Sequence, residues 1–128
     1  LIPLFLKHAF DIINKIARTH VLKINYYQCL LYLKMRLTDL LQLINDLNTN
    51  TKFYLKINEQ ILPWGKLTIE NDKCLLYPGK IAMTKNKLIK LVAHIHGRGI
   101  PLRVKVNEQE IPLFGLQIRE DSRTAVLM

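Results

Sequence analysis

One stretch of this chain occurs twice. Ile57-Asn58-Glu59-Gln60-Ile61-Leu62-Pro63 returns near the end as Val106-Asn107-Glu108-Gln109-Glu110-Ile111-Pro112. From residue 58 to 72, seven of fifteen positions are identical to those 49 places on: Asn58, Glu59, Gln60, Pro63, Leu67, Ile69 and Asp72. Average residue usage gives about one by chance. Upstream the offset is 48, pairing Met35 with Met83, Leu40 with Leu88, Leu43 with Leu91, Ile44 with Val92 and Leu47 with Ile95. One residue enters the second copy near Gly97-Arg98-Gly99. The units are residues 35–79 and 83–128.

A duplication of this size restricts what the chain can fold into. Units of about 45 residues rarely hold a core alone without disulfides or a metal. The linker Pro78-Gly79-Lys80-Ile81-Ala82 is too short to part them. The two copies must therefore share one interior. The expectation is an α+β fold: two α-β-β-β units forming a pseudo-twofold body over residues 35–128, with about six strands in an antiparallel sheet, plus an N-terminal helical arm over residues 1–34.

Within each unit the periodicities change in order. Leu40, Leu43, Ile44 and Leu47 step by three and four, the apolar stripe of a helix, and Leu88, Leu91, Val92 and Ile95 repeat it. Thr38 is the expected cap of the first helix, and Thr84 or Asn86 of the second. Phe53, Leu55 and Ile57 then alternate with Tyr54 and Lys56, as Leu102, Val104 and Val106 do with Arg103 and Lys105. Period two with one polar face describes a half-buried strand. Asn58-Glu59 and Asn107-Glu108 supply tight turns, because Asn tolerates positive φ. Pro63 and Pro112 interrupt the second strand of each unit, predicting an edge or a bulge there, with Gly65 and Gly115 at a bend. The third strands cover Cys74 to Tyr77 and Thr124 to Leu127.

Residues 1–34 are less regular. Phe5, Leu6, Phe10, Ile13, Ile16 and Ala17 fall at helical spacing over about 4–18. No apolar run reaches the roughly 18 residues that span a membrane, so no membrane association is expected. The first Met is Met35. Two readings stand: translated upstream sequence ahead of a natural start at Met35, or a helical arm that covers the sheet or mediates homo-oligomerisation.

The chain carries 19 Lys and Arg against 10 Asp and Glu, a net charge of +9. Such an excess suits an anionic partner such as nucleic acid, or solubility alone. Cys29 and Cys74 read as buried thiols. No phosphate loop, dinucleotide-binding glycine fingerprint or nucleophile elbow is present. His94 and His96 sit about 200° apart on a helix, so they cannot share a metal, and no nearby Cys completes a zinc site. Glu59, Glu108, Asp72 and Asp121 belong to turns, where solvated charge is expected. No catalytic residue, metal or cofactor is expected, and the chain is read as not an enzyme.

Two sets of residues are candidates for binding. Arg103, Lys105 and Arg119 are expected on neighbouring strands of one outward face, with Lys87 and Lys90 on the helix beside it; such a face can follow a phosphate backbone through its lysines and arginines. Trp64 and Phe114 flank the proline bends, as lids on the core or as contacts for a partner. The reading is a non-enzymatic binding protein acting through protein–protein contacts, with nucleic-acid binding through the basic face as the alternative.

The opening Met83-Thr84-Lys85-Asn86-Lys87-Leu88-Ile89-Lys90-Leu91, followed by a strand, an Asn turn and further strands, resembles small uncharacterised proteins of phages and mobile elements in low-GC Gram-positive bacteria. The resemblance spans residues 35–128. It implies a cytoplasmic accessory protein, and it carries no catalytic motif.

Overall fold

The computed structural model describes residues 34–128 other than His96 and Arg98; the helical arm expected over residues 1–34 falls, but for Lys34, outside the described residues. Met35–Met128 is a compact unit by itself. Its elements run α1 (Leu37–Leu43), β1 (Lys52–Ile57), β2 (Gln60–Glu70), β3 (Lys73–Pro78), α2 (Lys85–Val92), β4 (Leu102–Val106), β5 (Gln109–Pro112), β6 (Leu116–Arg119) and β7 (Thr124–Leu127). This is α+β, with seven strands in the order β5-β4-β3-β2-β1-β7-β6.

The sheet is mixed, which corrects the antiparallel expectation. β1 runs parallel to β7, with Lys52 opposite Thr124 and Leu55 opposite Leu127. β3 runs parallel to β4, with Cys74 opposite Leu102. The reason lies in the third strands. Cys74-Leu75-Leu76 and Ala125-Val126-Leu127 are buried on consecutive residues, the mark of strands covered on both faces and paired in parallel. Between β3 and β4 the chain crosses over through α2, the long connection that parallel pairing requires.

The two ends of the strand order are close neighbours in the chain. β5 and β6 stand at its two ends, yet only Leu113, Phe114 and Gly115 separate them in the chain. These three residues stay bonded on both sides. The Leu113 carbonyl accepts from Met35 N–H at 2.7 Å, and Phe114 and Gly115 N–H donate to the Met128 carbonyl at 2.8 and 3.0 Å. Pro112 breaks what would otherwise be one strand. β2 meets the same problem and stays whole. Its residues 60–63 pair with β1, then Trp64–Glu70 pair with β3, and the register shifts between Trp64 and Lys66.

Met35 and Met83 are tied in by matching bonds. Met35 N–H donates to Leu113, and its carbonyl accepts from Leu102 N–H at 3.0 Å. Met83 N–H donates to Trp64 at 2.8 Å, and its carbonyl accepts from Phe53 N–H at 2.9 Å. Both side chains are buried. The interior is completed by Phe53, Leu55 and Trp64 from the first two strands, Leu102 and Val104 from β4, Leu40, Leu88 and Val92 from the helices, and Ile44 just past α1.

The turns follow the sequence. Asn58 and Glu59 have φ of 49° and 69°, and Asn107 and Glu108 have 48° and 67°. Both central residues in the left-handed region fit a two-residue hairpin turn, which Asn makes affordable. The helix starts follow it only in part. Thr84 caps α2, its hydroxyl accepting from Lys87 N–H at 3.2 Å. Thr38 lies inside α1; the start is instead held by the Asp39 carboxylate, which accepts from Arg36 N–H at 2.8 Å. α1 ends at Leu43, which is 40% exposed, so the helix stops a turn short of the expected stripe, although Ile44 is fully buried and Leu47 packs against the core. Beyond it, Lys85 Nζ donates to the carbonyls of Asn45 and Leu47 at 2.8 and 2.7 Å. A cation there satisfies carbonyls of the turn that follows the helix.

Candidate functional site

β2 and the end of β3 come together at two glycines. A Cβ on Gly65 would lie 2.7 Å from the Cα of Gly79, and one on Gly79 would lie 2.8 Å from the Cα of Gly65. Gly79 N–H donates to the Pro63 carbonyl at 2.9 Å and holds the crossing closed. Only residues without a Cβ allow two backbones this near.

Beside the crossing lies a groove of about 550 Å³. Gly65, Pro78 and Gly79 form part of it, Ile81, Ala82 and Thr84 continue it, and Lys66, Lys80 and Lys87 bring three ammonium groups. Among the described residues no carboxylate lines it. Lys66 Nζ lies 4.9 Å from the centre of the Tyr77 ring, and the Tyr77 hydroxyl accepts from Thr68 Oγ1 at 3.2 Å. A cation over a ring face is held in place without its charge being cancelled. Ile81 is 83% exposed, well above the other large apolar side chains on the surface. A second cavity of about 240 Å³ is lined by Asp46, Arg119, Glu120 and Arg123 with their neighbours, and its charges are mixed.

The residues expected to form one basic face are divided. Arg103 lies on β4 opposite Pro112, and Lys105 lies opposite Glu110 on β5. Glu110 accepts from Lys73 Nζ at 2.7 Å and stands 4.0 Å from Arg103 Nη1. The hydrogen bond from Lys73 holds the Glu110 carboxyl below the usual carboxylate range, helped by the charges of Lys73, Arg103 and Lys105. Part of the positive charge of this face is thus answered. Arg103 Nε is buried and has no hydrogen-bond partner among the described residues. Arg119 is on β6, which pairs with β7 and not with β4, so it is not on a strand beside Arg103 and Lys105 as expected. The reason is the break after Pro112, which sends the second half of the strand to the other end of the order. Lys87 and Lys90 are both exposed on α2; Lys87 lines the groove and Lys90 does not.

Trp64 is not a surface contact. It is fully buried, its ring centroid 5.7 Å from that of Phe53, and its indole N–H donates to the Lys66 carbonyl at 3.0 Å. Of the two readings for Trp64, the structure selects the core. The bulge at Gly65 turns the strand so that the residue before it faces inward. Phe114, the other residue of that pair, is half-buried.

The remaining chemistry is quiet. Burial pushes the Cys74 thiol up to about 12, far from a reactive thiolate. Glu59, Glu108, Asp72 and Asp121 are exposed at turns. His94 lies past the end of α2, and His96 is outside the described residues. Among the described residues no group of three or more His, Cys, Asp or Glu is placed to hold a metal ion, and no helix is long and apolar enough to cross a membrane.

Lys66 and Lys80 were not singled out from sequence as a pair with Lys87. Lys80 falls in the linker between the units, and Lys66 follows Gly65 at the bend of the second strand. The only sequence trace of the groove is the pair Gly65 and Gly79, and nothing in their spacing says that they meet.

Fold and groove together define a small α+β protein with a mixed sheet and a lysine-lined surface groove. No family model, curated protein or solved structure matches the chain.

Proposed function

We propose that residues 35–128 form a non-catalytic binding module, an internal dimer of two α-β-β-β units, that engages an anionic partner at the Lys66–Lys80–Lys87 groove. The internal dimer is supported by the sequence offsets together with the matching bonds of Met35 and Met83, each of which joins the opposite unit. The observation that carries the functional reading is three lysines around one groove with no carboxylate among its described lining residues. A non-catalytic role is supported by the dispersal of carboxylates over turns and by a thiol whose pKa lies near 12. An accessory role in a phage or plasmid setting rests on the resemblance of residues 35–128 alone.

The basic-face alternative is weaker on this geometry, because Glu110 answers part of that charge and Arg119 lies elsewhere. Titrating a heparin oligosaccharide, a generic polyanion, into ¹⁵N-labelled full chain distinguishes the two. Amide shifts are expected to concentrate at Gly65, Lys66, Gly79–Ala82 and Lys87. Shifts centred on Arg103 and Lys105, or spread evenly over all lysines, would refute the groove as the site.

A further inference from the structure

Resting on the reading of the groove as an anion site, we propose that its ligand is a single-stranded nucleic acid whose backbone phosphates meet Lys66, Lys80 and Lys87. Four properties of the groove select this ligand. The first is size. About 550 Å³ lies within the roughly 300–1,000 Å³ of sites that hold small-molecule-sized groups. It takes one or two nucleotides of an extended strand.

The second is the kind of cation. All three are lysines, and none of the described lining residues is an arginine. A guanidinium fork matches carboxylate and phosphate alike through two parallel bonds; an ammonium is a compact point charge that serves a phosphate from any side and has no fork with which to grip a carboxylate. The third is the state of the backbone. An acidic peptide lying in the groove would draw affinity from strand pairing, yet the Gly79 N–H of its lining is already donated to Pro63. The fourth is the apolar part of the lining. Ile81, Ala82 and Pro78 give a base or sugar a surface to lie against, and Ile81 is almost fully exposed in the free protein. Lysines for the backbone and apolar surface for the bases are the combination used by sequence-tolerant single-strand binders, although the groove offers an aliphatic surface where aromatic rings are usual.

Each lysine that neutralises a single-strand phosphate contributes about 0.7 to the slope of log affinity against log salt, so three contribute about 2. Between 50 and 200 mM salt that is an affinity loss of about 15–20-fold. The test is fluorescence anisotropy of the full chain with fluorescein-labelled dT20, with the same oligonucleotide as duplex, and with poly-glutamate of equal charge. K66A/K80A/K87A is expected to lower dT20 affinity more than tenfold at 50 mM salt and to flatten the slope by about 2. K56A/K90A/K105A, which removes equal charge elsewhere, is expected to keep most of both. I81S is expected to weaken dT20 severalfold with the slope unchanged, a readout that diffuse charge does not produce. Circular dichroism and urea midpoints at the wild-type value show that each variant is folded.

Poly-glutamate binding as tightly as dT20, with the same lysine dependence, would overturn the nucleic-acid assignment and leave the anion groove standing. Equal losses in the two triple variants, or tighter binding of duplex than of single strand, would overturn the groove assignment as well. No binding of any polyanion would remove both readings together.

Discussion

Replacing Gly65 with alanine tests the crossing on which the groove is built. The new Cβ would stand 2.7 Å from Gly79 Cα and 3.0 Å from Gly79 N. Both are backbone atoms, so no side-chain rotation relieves the contact. Carbon atoms pack at about 3.5–4.0 Å, and the strands must part by roughly 1 Å. That movement strains the Gly79 N–H to Pro63 bond and the Met83 N–H to Trp64 bond, now 2.9 and 2.8 Å long. It also pulls on Trp64, which has no spare room. Forcing atoms into a packed site costs about 1–3 kcal/mol, and one weakened hydrogen bond about 0.5–1.5 kcal/mol. Neither glycine has positive φ, so alanine also stiffens the unfolded chain, an opposing gain of about 0.4–1 kcal/mol. The balance is a loss of about 2 kcal/mol for Gly65→Ala, and Gly79→Ala should match it. Gly99→Ala, which meets nothing within 4 Å and has no positive φ, receives only the gain. Urea denaturation of the three variants measures this directly. If Gly65→Ala is as stable as wild type, the two backbones are not in contact and the groove beside them has a different shape.

Other consequences follow from single groups. Thr84→Ala should cost about 1 kcal/mol through loss of the α2 cap, whereas Thr38→Ala, inside α1, should cost less than half that by the same urea assay. Trp64→Ala should cost about 3–5 kcal/mol, and because the chain has one tryptophan its blue-shifted emission should move red in the same transition that circular dichroism reports. The Cys74 thiol, raised by burial to about 12, stays protonated in the fold while the unfolded thiol ionises near 9. A raised folded value contributes stability that is complete below pH 9 and fades as pH climbs towards 12, so wild type should lose about 1 kcal/mol relative to Cys74→Ala between pH 8 and pH 10. Peptide-resolved iodoacetamide labelling should find Cys74 protected until the protein unfolds.

Local features were legible in the sequence and distant meetings were not. The alternation of Phe53, Leu55 and Ile57 gave the inner face of β1, and the Asn58-Glu59 pair gave its turn, since both depend only on near neighbours. The third strands misled. Three consecutive buried residues cannot be told from an alternating strand over so short a run, and the parallel partners lie far away in sequence. Trp64 looked ambiguous because the bulge at Gly65, which turns the ring inward, appears only when β2 is paired on both sides. Arg119 was misassigned for a related cause: the two halves of its strand keep one sequence register while joining different neighbours. The groove was illegible because it depends on Gly65 approaching Gly79, a contact between segments that periodicity treats as a bend and a linker.

If the body is an internal dimer, cutting the linker should separate two pieces that need each other. Residues 35–80 alone would keep β1, β2 and β3 but lose β7 beside β1 and β4 beside β3. Met35 would lose both Leu113 and Leu102, and Trp64 and Phe53 would lose Met83. A lone piece therefore leaves two parallel strand pairings and these hydrogen bonds, among others, unmade around an open interior, which a chain of this length rarely survives as a monomer. Mixing residues 35–80 with residues 81–128 restores every one of them. The expected result is two pieces without cooperative unfolding below about 10 μM, and a one-to-one complex with native-like circular dichroism whose melting temperature rises with concentration, as linkage demands. Residues 35–80 have one further route: a second copy could present its own Met35 where Met83 normally sits, so weak self-association at high concentration fits the same symmetry. A cooperative, monomeric transition from residues 35–80 alone would show that the first unit closes its own core, and the shared interior would have to be abandoned.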